Sequence, residues 1–269
     1  MIIRLIERSL VYPTPSRERG DWRPRWLRPQ NVWFRAADDT KLHGWYVPHA
    51  DPKRLVVYCH ANNEHVADQA NLMFRLQANL QATLFVFDYR GYGRSRGKPY
   101  EKGCIQDGLA AQRWLARKEG VSTEDITVVG RSIGGGVAVA VAAEQGARAL
   151  VLENTFAKMT DAAAHQYPWL PVKLVMRNRY NSLRRIKNYH GPLFQCHGTA
   201  DDIVPIEQGR TLFDAAPTEF KQFFQVNFAR HGDSLPPNYY TALTEFLDQV
   251  DEAAQQPAAR RRVQRQLVS

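Results

Sequence analysis

Short apolar runs alternate with segments of helical spacing through most of the chain. Leu55 to Cys59 and Thr83 to Asp88 are apolar runs typical of strands that are buried on both faces. Val66 to Leu80, between them, and Gly103 to Lys118, after them, have the spacing of amphipathic helices. Strands that alternate with helices in this way predict an α/β fold with a mostly parallel sheet.

Eight strands are predicted in all. The first two, 31–36 and 42–47, alternate polar and apolar positions around Asp38 and Asp39, which favours an antiparallel hairpin. The other predicted strands are 55–59, 83–88, 126–129, 148–152, 192–196 and 221–226, with helices after the fifth strand to about Gln145, between the last two strands, and from Tyr239 to about Val250. We therefore expect one core, made of residues 31–154 and 191–254, with helices on both faces of the sheet.

Residues 155–190 interrupt this alternation. They contain the aromatic sequence Tyr167-Pro168-Trp169 and apolar residues near helical spacing, but no strand pattern. A segment inserted at the C-terminal side of a parallel sheet lies over the region where open α/β folds bind ligands. We expect a short helical cap over a pocket. Residue by residue, the aromatic side chains are better interpreted as the core of the cap than as substrate contacts.

The net charge of +9 is concentrated in three segments. Residues 1–30 hold seven basic and three acidic residues, residues 155–190 seven and one, and residues 258–269 four and none, so the rest of the chain is acidic. A nucleic-acid-binding fold carries a basic surface throughout, and we expect no nucleic-acid partner.

Two interpretations of the basic ends stay open. Residues 1–30 and a disordered tail at 255–269 can be solvated surface charge. Alternatively, the ends and the cap make peripheral contact with an anionic membrane. An apolar helical face for such contact would be formed by Ile2, Ile3, Ile6 and Leu10.

The cysteines favour a reducing compartment. Cys59, Cys104 and Cys196 are an odd number, are widely spaced and form no C-x-x-C pair, so neither a disulfide framework nor a zinc site is predicted. No His, Cys and carboxylate cluster calls for a metal, and we expect no cofactor. No run approaches the ~20 apolar residues of a spanning helix. The expected location is cytoplasmic.

The sequence Gly130-Arg131-Ser132-Ile133-Gly134 follows a strand and precedes an Ala/Val stretch of helical character. This G-x-S-x-G spacing in that context is typical of a nucleophile elbow, in which a serine sits on a strained strand-to-helix turn. The glycines give clearance, and the first amides of the helix point at the place where an anion would form. We predict that Ser132 is a nucleophile.

A serine nucleophile needs a base and a group that orients the base. Asp201 follows the seventh predicted strand and His231 follows the eighth. The order Ser132, Asp201, His231 is the one that accompanies a G-x-S-x-G elbow in this architecture. Asp202 adjoins Asp201 and is the alternative acid.

Four motifs in this order resemble the α/β-hydrolase superfamily, over roughly residues 31–250. Within it, the chain looks like the capped serine hydrolases that include serine aminopeptidase-like and protein depalmitoylase-like proteins. The motifs are the elbow, Asp88-Tyr89-Arg90-Gly91-Tyr92-Gly93-Arg94-Ser95, His197-Gly198-Thr199-Ala200-Asp201 and the terminal His231.

The resemblance implies a triad of Ser132, His231 and Asp201, with the backbone N–H groups of Asn62 and Ile133 as an oxyanion hole. It implies an α/β-hydrolase fold with a mostly parallel eight-stranded sheet and a short helical cap. Two departures from the family pattern concern the site. Ala61 adds a methyl group where such proteins have glycine after the loop histidine. Arg230 places a cation beside the base, which would lower the pKa of His231 if the guanidinium lay close.

The expected function is therefore that of a serine hydrolase that cleaves an ester or thioester through an acyl-enzyme on Ser132, with a small-molecule or acyl-group substrate. A peptidase or amidase of the same fold is an alternative, but it would need an acid to hold a substrate amine, and none stands out. A binding protein of this fold without catalytic activity is the other alternative. It would be free to lose members of the triad.

Overall fold

A computed structural model describes Glu7 and residues 11–266, with side chains as far as Gln255. Among these residues, eight strands form one sheet. The strands are β1 Gln30–Arg35, β2 Lys41–Val47, β3 Arg54–Cys59, β4 Ala82–Phe87, β5 Ile126–Arg131, β6 Leu150–Glu153, β7 Leu193–Gly198 and β8 Lys221–Val226. The expected apolar face of Ile2, Ile3, Ile6 and Leu10 lies outside the described residues.

The sheet has the order β1-β2-β4-β3-β5-β6-β7-β8. β1 pairs with β2 and β2 with β4 in antiparallel fashion, and the other pairings are parallel. The predicted hairpin, the mostly parallel eight-stranded sheet and the α/β class are confirmed. Because β3, β5, β6, β7 and β8 all run in the same direction, the loops after them meet at one edge of the sheet.

The helices cover both faces of the sheet. They are α1 Ala70–Leu80, α2 Glu101–Glu119, α3 Ile133–Gln145, α4 Met159–Gln166, α5 Val172–Val175, α6 Ser182–Arg185, α7 Ile206–Ala215 and α8 Pro237–Gln266. One apolar core joins the sheet to α2, α3 and α7, and a second joins the other face to α1 and α8. None of the helices that the structure describes is apolar over a length sufficient to cross a bilayer.

Two helix boundaries differ from the prediction. The helix expected from Val66 begins as a 3₁₀ turn at Val66–Asp68, where the Asp68 carboxylate accepts the N–H of His65 at 3.0 Å, and α1 starts at Ala70. The last helix does not end near Val250. Its backbone runs to Gln266, through the first part of the tail that we expected to be disordered at 255–269.

The extension of α8 has a physical cause in the part whose side chains are described. Arg54 at the start of β3 is almost fully buried and binds Asp248 at 2.5 Å and Asp251 at 2.9 Å. The second contact lies beyond the predicted end and ties the next turn to the sheet. The residues that follow are rich in Ala, Gln and Arg, which have high helix propensity, while Pro257 among them opposes a helix.

The segment 155–190 forms three short helices, α4, α5 and α6, followed by a 3₁₀ turn at Ile186–Asn188. A single antiparallel bridge between Lys158 and Asn181 closes its base. Tyr180 lies buried at the closing end and packs against Phe156 at the opening end. The segment thus leaves the sheet after β6 and returns to it before β7 as one compact unit.

Candidate active site

Ser132 occupies the turn between β5 and α3, in a conformation that L-residues rarely adopt. Its φ of 54° and ψ of −120° are strained. The turn is held from both sides, because the Ser132 N–H donates to the Glu153 carbonyl at 2.9 Å and the Thr155 hydroxyl donates to the Ser132 carbonyl at 2.7 Å. The predicted elbow is therefore present, and its strain is supported by the strand beside it.

The two glycines of the elbow are required by close backbone approach. A Cβ atom at Gly134 would collide with the carbonyl oxygen of Cys59 at the end of β3. A Cβ atom at Gly130 would collide with the carbonyl oxygen of Gly134 itself. α3 can therefore start directly behind Ser132 only because these positions lack side chains.

The structure brings His231 and Asp201 to Ser132. The Nε2 atom of His231 lies 3.0 Å from Oγ of Ser132, and Nδ1 lies 2.7 Å from Oδ2 of Asp201. These residues are 99 and 30 positions apart in the chain, and they meet because they follow β5, β7 and β8 at the same edge of the sheet. This is the hydrogen-bond pattern of a nucleophile, a base and an orienting acid.

The carboxylate of Asp201 is buried and fully engaged. Its other oxygen accepts the backbone N–H groups of Ile203 at 3.0 Å and Val204 at 2.8 Å. Burial acts to raise its pKa, but hydrogen bonds from His197 and His231 and from the backbone outweigh this and hold the pKa of Asp201 well below its usual range. Asp201 is therefore ionised at neutral pH, and its carboxylate faces Nδ1 of His231.

Asp202 takes a different position from its neighbour. Its side chain is exposed, and the contact found for this residue is a hydrogen bond from the Gln166 side chain to its carbonyl oxygen. The geometry thus favours Asp201 over the alternative acid. His197 lies within β7, where its Nε2 atom is 2.8 Å from the Val204 carbonyl and 3.4 Å from Oδ2 of Asp201.

The loop after β3 brings Asn62 to the same cavity as Ser132 and Ile133. The N–H of Ala61 is occupied, since it donates to the Glu64 carboxylate at 3.1 Å. Among the described residues, no acceptor lies in reach of the Asn62 N–H. Ile133 is the first residue of α3, and its N–H has no acceptor within the helix. These are the two amides that the resemblance implied.

The family described as the alpha/beta hydrolase fold matches residues 54–262. The chain belongs to this family. The predicted resemblance to α/β hydrolases is confirmed, and membership supports a hydrolase.

Relatives of this α/β hydrolase are found in bacteria and fungi. An uncharacterized protein of Mycobacterium tuberculosis is 35% identical over 206 residues, which cover 76% of this chain and 73% of the relative. Protein bem46 of Schizosaccharomyces pombe is 28% identical over 262 residues, or 91% and 87% of the two chains. The structure of the Pyrococcus furiosus esterase Pf2001 has a TM-score of 0.74 at 22% identity, covering 88% of this chain and 98% of that one. At that identity the likeness concerns the fold.

Two residues beside Ser132, Asp201 and His231 of this α/β hydrolase escaped the sequence analysis. Arg131 donates to the carbonyl oxygens of His231 at 2.9 Å and Asp233 at 3.1 Å. Asn154 donates to the same His231 carbonyl at 3.2 Å and accepts the N–H of Gly198 at 3.0 Å. The loop that carries the base is therefore fastened to β5, β6 and β7. Only the variable position inside the G-x-S-x-G motif hinted at Arg131.

Arg230 leaves the α/β-hydrolase site unobstructed. Its side chain is exposed, and its N–H donates to the Asp233 carboxylate at 2.8 Å, which closes the turn around His231. The expected effect of Arg230 on the base stays a prediction. Ala61, the other departure from the family pattern, lines the cavity, so its methyl group borders the space open to a ligand.

A cavity of about 760 Å³ lies between Ser132 and the cap. Ser132 and His231 are at its floor, and the polar side chains of Glu7, Glu64 and Arg131 reach parts of its wall. The rest of the lining is mainly apolar and comes largely from the cap, with Phe156, Met159, Leu170, Val175, Met176 and Val204 among its members. Ser132, which is 8% exposed, borders this mainly apolar space.

Cys59 is buried, and burial raises the pKa of its thiol to about 12, so it is not a thiolate at neutral pH. Cys104 and Cys196 are buried too. In the part of the chain that the structure describes, no group of three or more His, Cys, Asp or Glu side chains is arranged to hold a metal ion.

Proposed function

We propose that this protein is a serine hydrolase that cleaves carboxylic esters or thioesters through an acyl-enzyme on Ser132. The observation that carries the proposal is the position of His231, hydrogen-bonded to Ser132 on one side and to ionised Asp201 on the other, at the floor of an apolar cavity. Each group has the neighbour that its role requires.

In the first half of the reaction, His231 takes the proton of Ser132 as the Oγ atom attacks the substrate carbonyl. Asp201 stabilises the imidazolium that forms and fixes the tautomer that presents an unprotonated Nε2 to the serine. His231 then gives its proton to the leaving alcohol or thiol, and the acyl group stays on Ser132.

In the second half, water enters the place of the leaving group. His231 takes a proton from the water as its oxygen attacks the acyl carbon, and returns that proton to Ser132 when the acid is released. In both halves a negative charge develops on the carbonyl oxygen. The N–H groups of Asn62 and Ile133 would donate to that oxygen.

The shape and chemistry of the cavity favour an acyl group as the part of the substrate that is bound under the cap. Its lining of Phe156, Met159, Met176 and similar side chains would bury hydrocarbon. A peptide amine would need a free acid near Ser132, and Glu64 is already engaged by the Ala61 N–H and by the Gln69 side chain at 2.9 Å. Ester or thioester cleavage is therefore preferred to peptide cleavage.

Hydrolysis of p-nitrophenyl esters from acetate to palmitate tests the proposal. We expect turnover that depends on acyl length and falls by at least about 10³-fold in Ser132→Ala. Labelling by a fluorophosphonate should disappear in the same variant. A folded wild type that turns over no ester or thioester and resists the fluorophosphonate would contradict the proposal and favour a binding protein. Turnover of amides alone would favour an amidase.

A further inference from the structure

The side chain of Asn62 is held at both ends of its amide group. Its Nδ2 atom donates to the Val11 carbonyl at 2.7 Å, and its Oδ1 atom accepts the Tyr92 hydroxyl at 2.6 Å. The backbone N–H of the same residue has no acceptor within the described part of the chain. Two such bonds fix the orientation of the residue, and with it the direction of its backbone N–H, which is what a site that must present a donor in one direction requires.

The direction of both hydrogen bonds follows from their chemistry. A backbone carbonyl can only accept, so the NH₂ group of Asn62 must face Val11. The carbonyl oxygen of the side chain then faces Tyr92, whose hydroxyl must be the donor. Burial raises the pKa of Tyr92 far above its usual range, which keeps the hydroxyl protonated at any pH that the protein survives.

The rest of the loop after β3 is held by Tyr89, three residues before Tyr92, and by Glu64, two residues after Asn62. The Tyr89 hydroxyl donates to the His60 carbonyl at 3.0 Å, and the His60 ring packs against Tyr89 with centroids 4.5 Å apart. Glu64 accepts the Ala61 N–H. Three consecutive residues, 60 to 62, are therefore each fixed by a separate contact, and the contacts of Asn62 are made by its side chain.

The segment that supplies the Val11 carbonyl is itself fixed to the far end of the cap. The Glu7 carboxylate accepts the N–H groups of Arg177 at 2.7 Å and Asn178 at 2.8 Å. The Tyr12 hydroxyl lies 3.0 Å from both the Asn178 side chain and the Tyr180 hydroxyl. Glu7 and Tyr12 therefore contact the end of the cap, while Val11, next to Tyr12, contacts the loop that carries Asn62.

We propose that Tyr92 and the Val11 carbonyl are positioning groups for the oxyanion hole. They hydrogen-bond the two ends of the Asn62 side-chain amide, and so orient the backbone N–H of Asn62 toward the carbonyl oxygen of a substrate bound to Ser132. This inference rests on the proposed function. It assigns a role in the reaction to the second tyrosine of the Asp88–Ser95 motif and to the backbone of Val11, neither of which touches the reacting atoms.

Two variants remove hydrogen bonds of the Asn62 side chain without removing the backbone N–H of residue 62. Tyr92→Phe deletes one hydrogen bond, and Asn62→Ala deletes both. A donor that is present but misplaced should cost less than the ~10²- to 10³-fold loss that follows removal of an oxyanion donor. We expect kcat to fall about 10-fold in Tyr92→Phe and more in Asn62→Ala, with KM changed less than about 2-fold.

Tyr46→Phe is the matched control. The Tyr46 hydroxyl also makes one short hydrogen bond to a side-chain oxygen, with Glu119 at 2.6 Å, but it lies where β2 meets α2 and does not line the catalytic cavity. We expect unchanged kcat and KM in this variant. Melting temperatures of the three variants separate a loss of fold from a loss of catalysis, since a structural role alone would lower the melting temperature without selective loss of kcat.

Inhibition by a trifluoromethyl ketone is the decisive measurement, because its adduct with serine places a negatively charged oxygen in the oxyanion hole. We expect its inhibition constant to rise in Tyr92→Phe and Asn62→Ala by the same factor by which kcat/KM falls. If both variants fold, keep wild-type kcat and bind the ketone as tightly as the wild type, the positioning role is wrong. If the wild type itself has no esterase activity and no affinity for the ketone, the proposed function is wrong, and the positioning role that rests on it is wrong too.

Discussion

The floor and the roof of the cavity are built in opposite ways. The floor consists of Ser132, Asp201 and His231 at the ends of buried parallel strands, where backbone atoms approach so closely that Gly134 admits no side chain. The roof is the cap, made of helices of eight, four and four residues. Trp169 and Leu174 in the roof are 78% and 82% exposed.

This difference separates two tasks. Chemistry needs reacting atoms held within a few tenths of an ångström, which strand ends in a packed sheet can provide. Selection of an acyl group needs a surface that can vary in shape, which short helices with few fixed contacts can provide. Changes in the floor should therefore abolish activity or folding, and changes in the roof should alter which substrates are used.

The largest effect is expected when the floor loses its acid. Asp201→Asn would turn the orienting acceptor into an amide that no longer stabilises the imidazolium, and we expect kcat/KM to fall about 10⁴-fold for the preferred ester. Asp202→Asn is the matched control, since its side chain is exposed, and should stay within about 2-fold of the wild type. Equal losses in the two variants would refute the assignment of Asp201.

The next largest effect, on the free energy of unfolding, is expected when the packing of the floor is changed. Gly134→Ala would place a methyl group against the Cys59 carbonyl, and we expect the free energy of unfolding in urea to fall by about 3 kcal/mol or more. Gly232→Ala is the control for stability, because a Cβ atom there meets nothing within 4 Å. A tolerated Gly134→Ala would mean that β3 and α3 can separate, and that the floor is less rigid than described.

A smaller effect is expected from the roof. Ala163 lines the cavity from α4, and a phenylalanine there would shorten the space available to a chain. We expect Ala163→Phe to lower kcat/KM for long p-nitrophenyl esters about 10-fold while the acetate is hydrolysed at the wild-type rate. Ala164→Phe, one position along the same helix and outside the lining, should leave the profile of chain lengths unchanged. Loss of all chain lengths alike in Ala163→Phe would count against the division of tasks.

The smallest effect concerns the pH dependence of stability. Because the pKa of Asp201 is lowered in the folded state, ionisation of Asp201 stabilises the fold above about pH 4, and this contribution is lost as the pH falls through the folded-state pKa. The difference in unfolding free energy between wild type and Asp201→Asn should be constant from pH 6 to 8. It should narrow below about pH 4, by on the order of 1 kcal/mol. A difference that is flat down to pH 3 would argue against a lowered pKa.

The floor was largely predictable from the sequence, for a physical reason. Ser132, Asp201 and His231 each follow a strand, and the strands are marked by apolar runs whose ends lie within one or two residues of the predicted positions. Ser132, Asp201 and His231 could therefore be assigned to one edge of the sheet before their distances were known. The choice between Asp201 and Asp202 needed the structure, because only burial and hydrogen bonding separate two adjacent carboxylates.

The supporting contacts were not predictable, since they join residues that are remote in the chain. Arg131 reaches the carbonyl of His231 across 100 positions, and Asn154 reaches it across 77. Asn62 meets the Val11 carbonyl, which no sequence pattern marks because every residue has one. The bounds of the cap helices were equally out of reach. They are too short for periodicity to define them.

The wide separation of Ser132 and His231 along the chain also has a consequence for synthesis. A ribosome makes the serine 99 residues before its base, and a growing chain that has not reached β8 contains a nucleophile with nothing to take its proton. Such a chain can begin to fold while it is still attached, as domains made from the N-terminus do. Under the proposed mechanism, it cannot attack acyl compounds in its surroundings until the last strand joins the sheet, so that hydrolytic competence would arrive together with the finished fold.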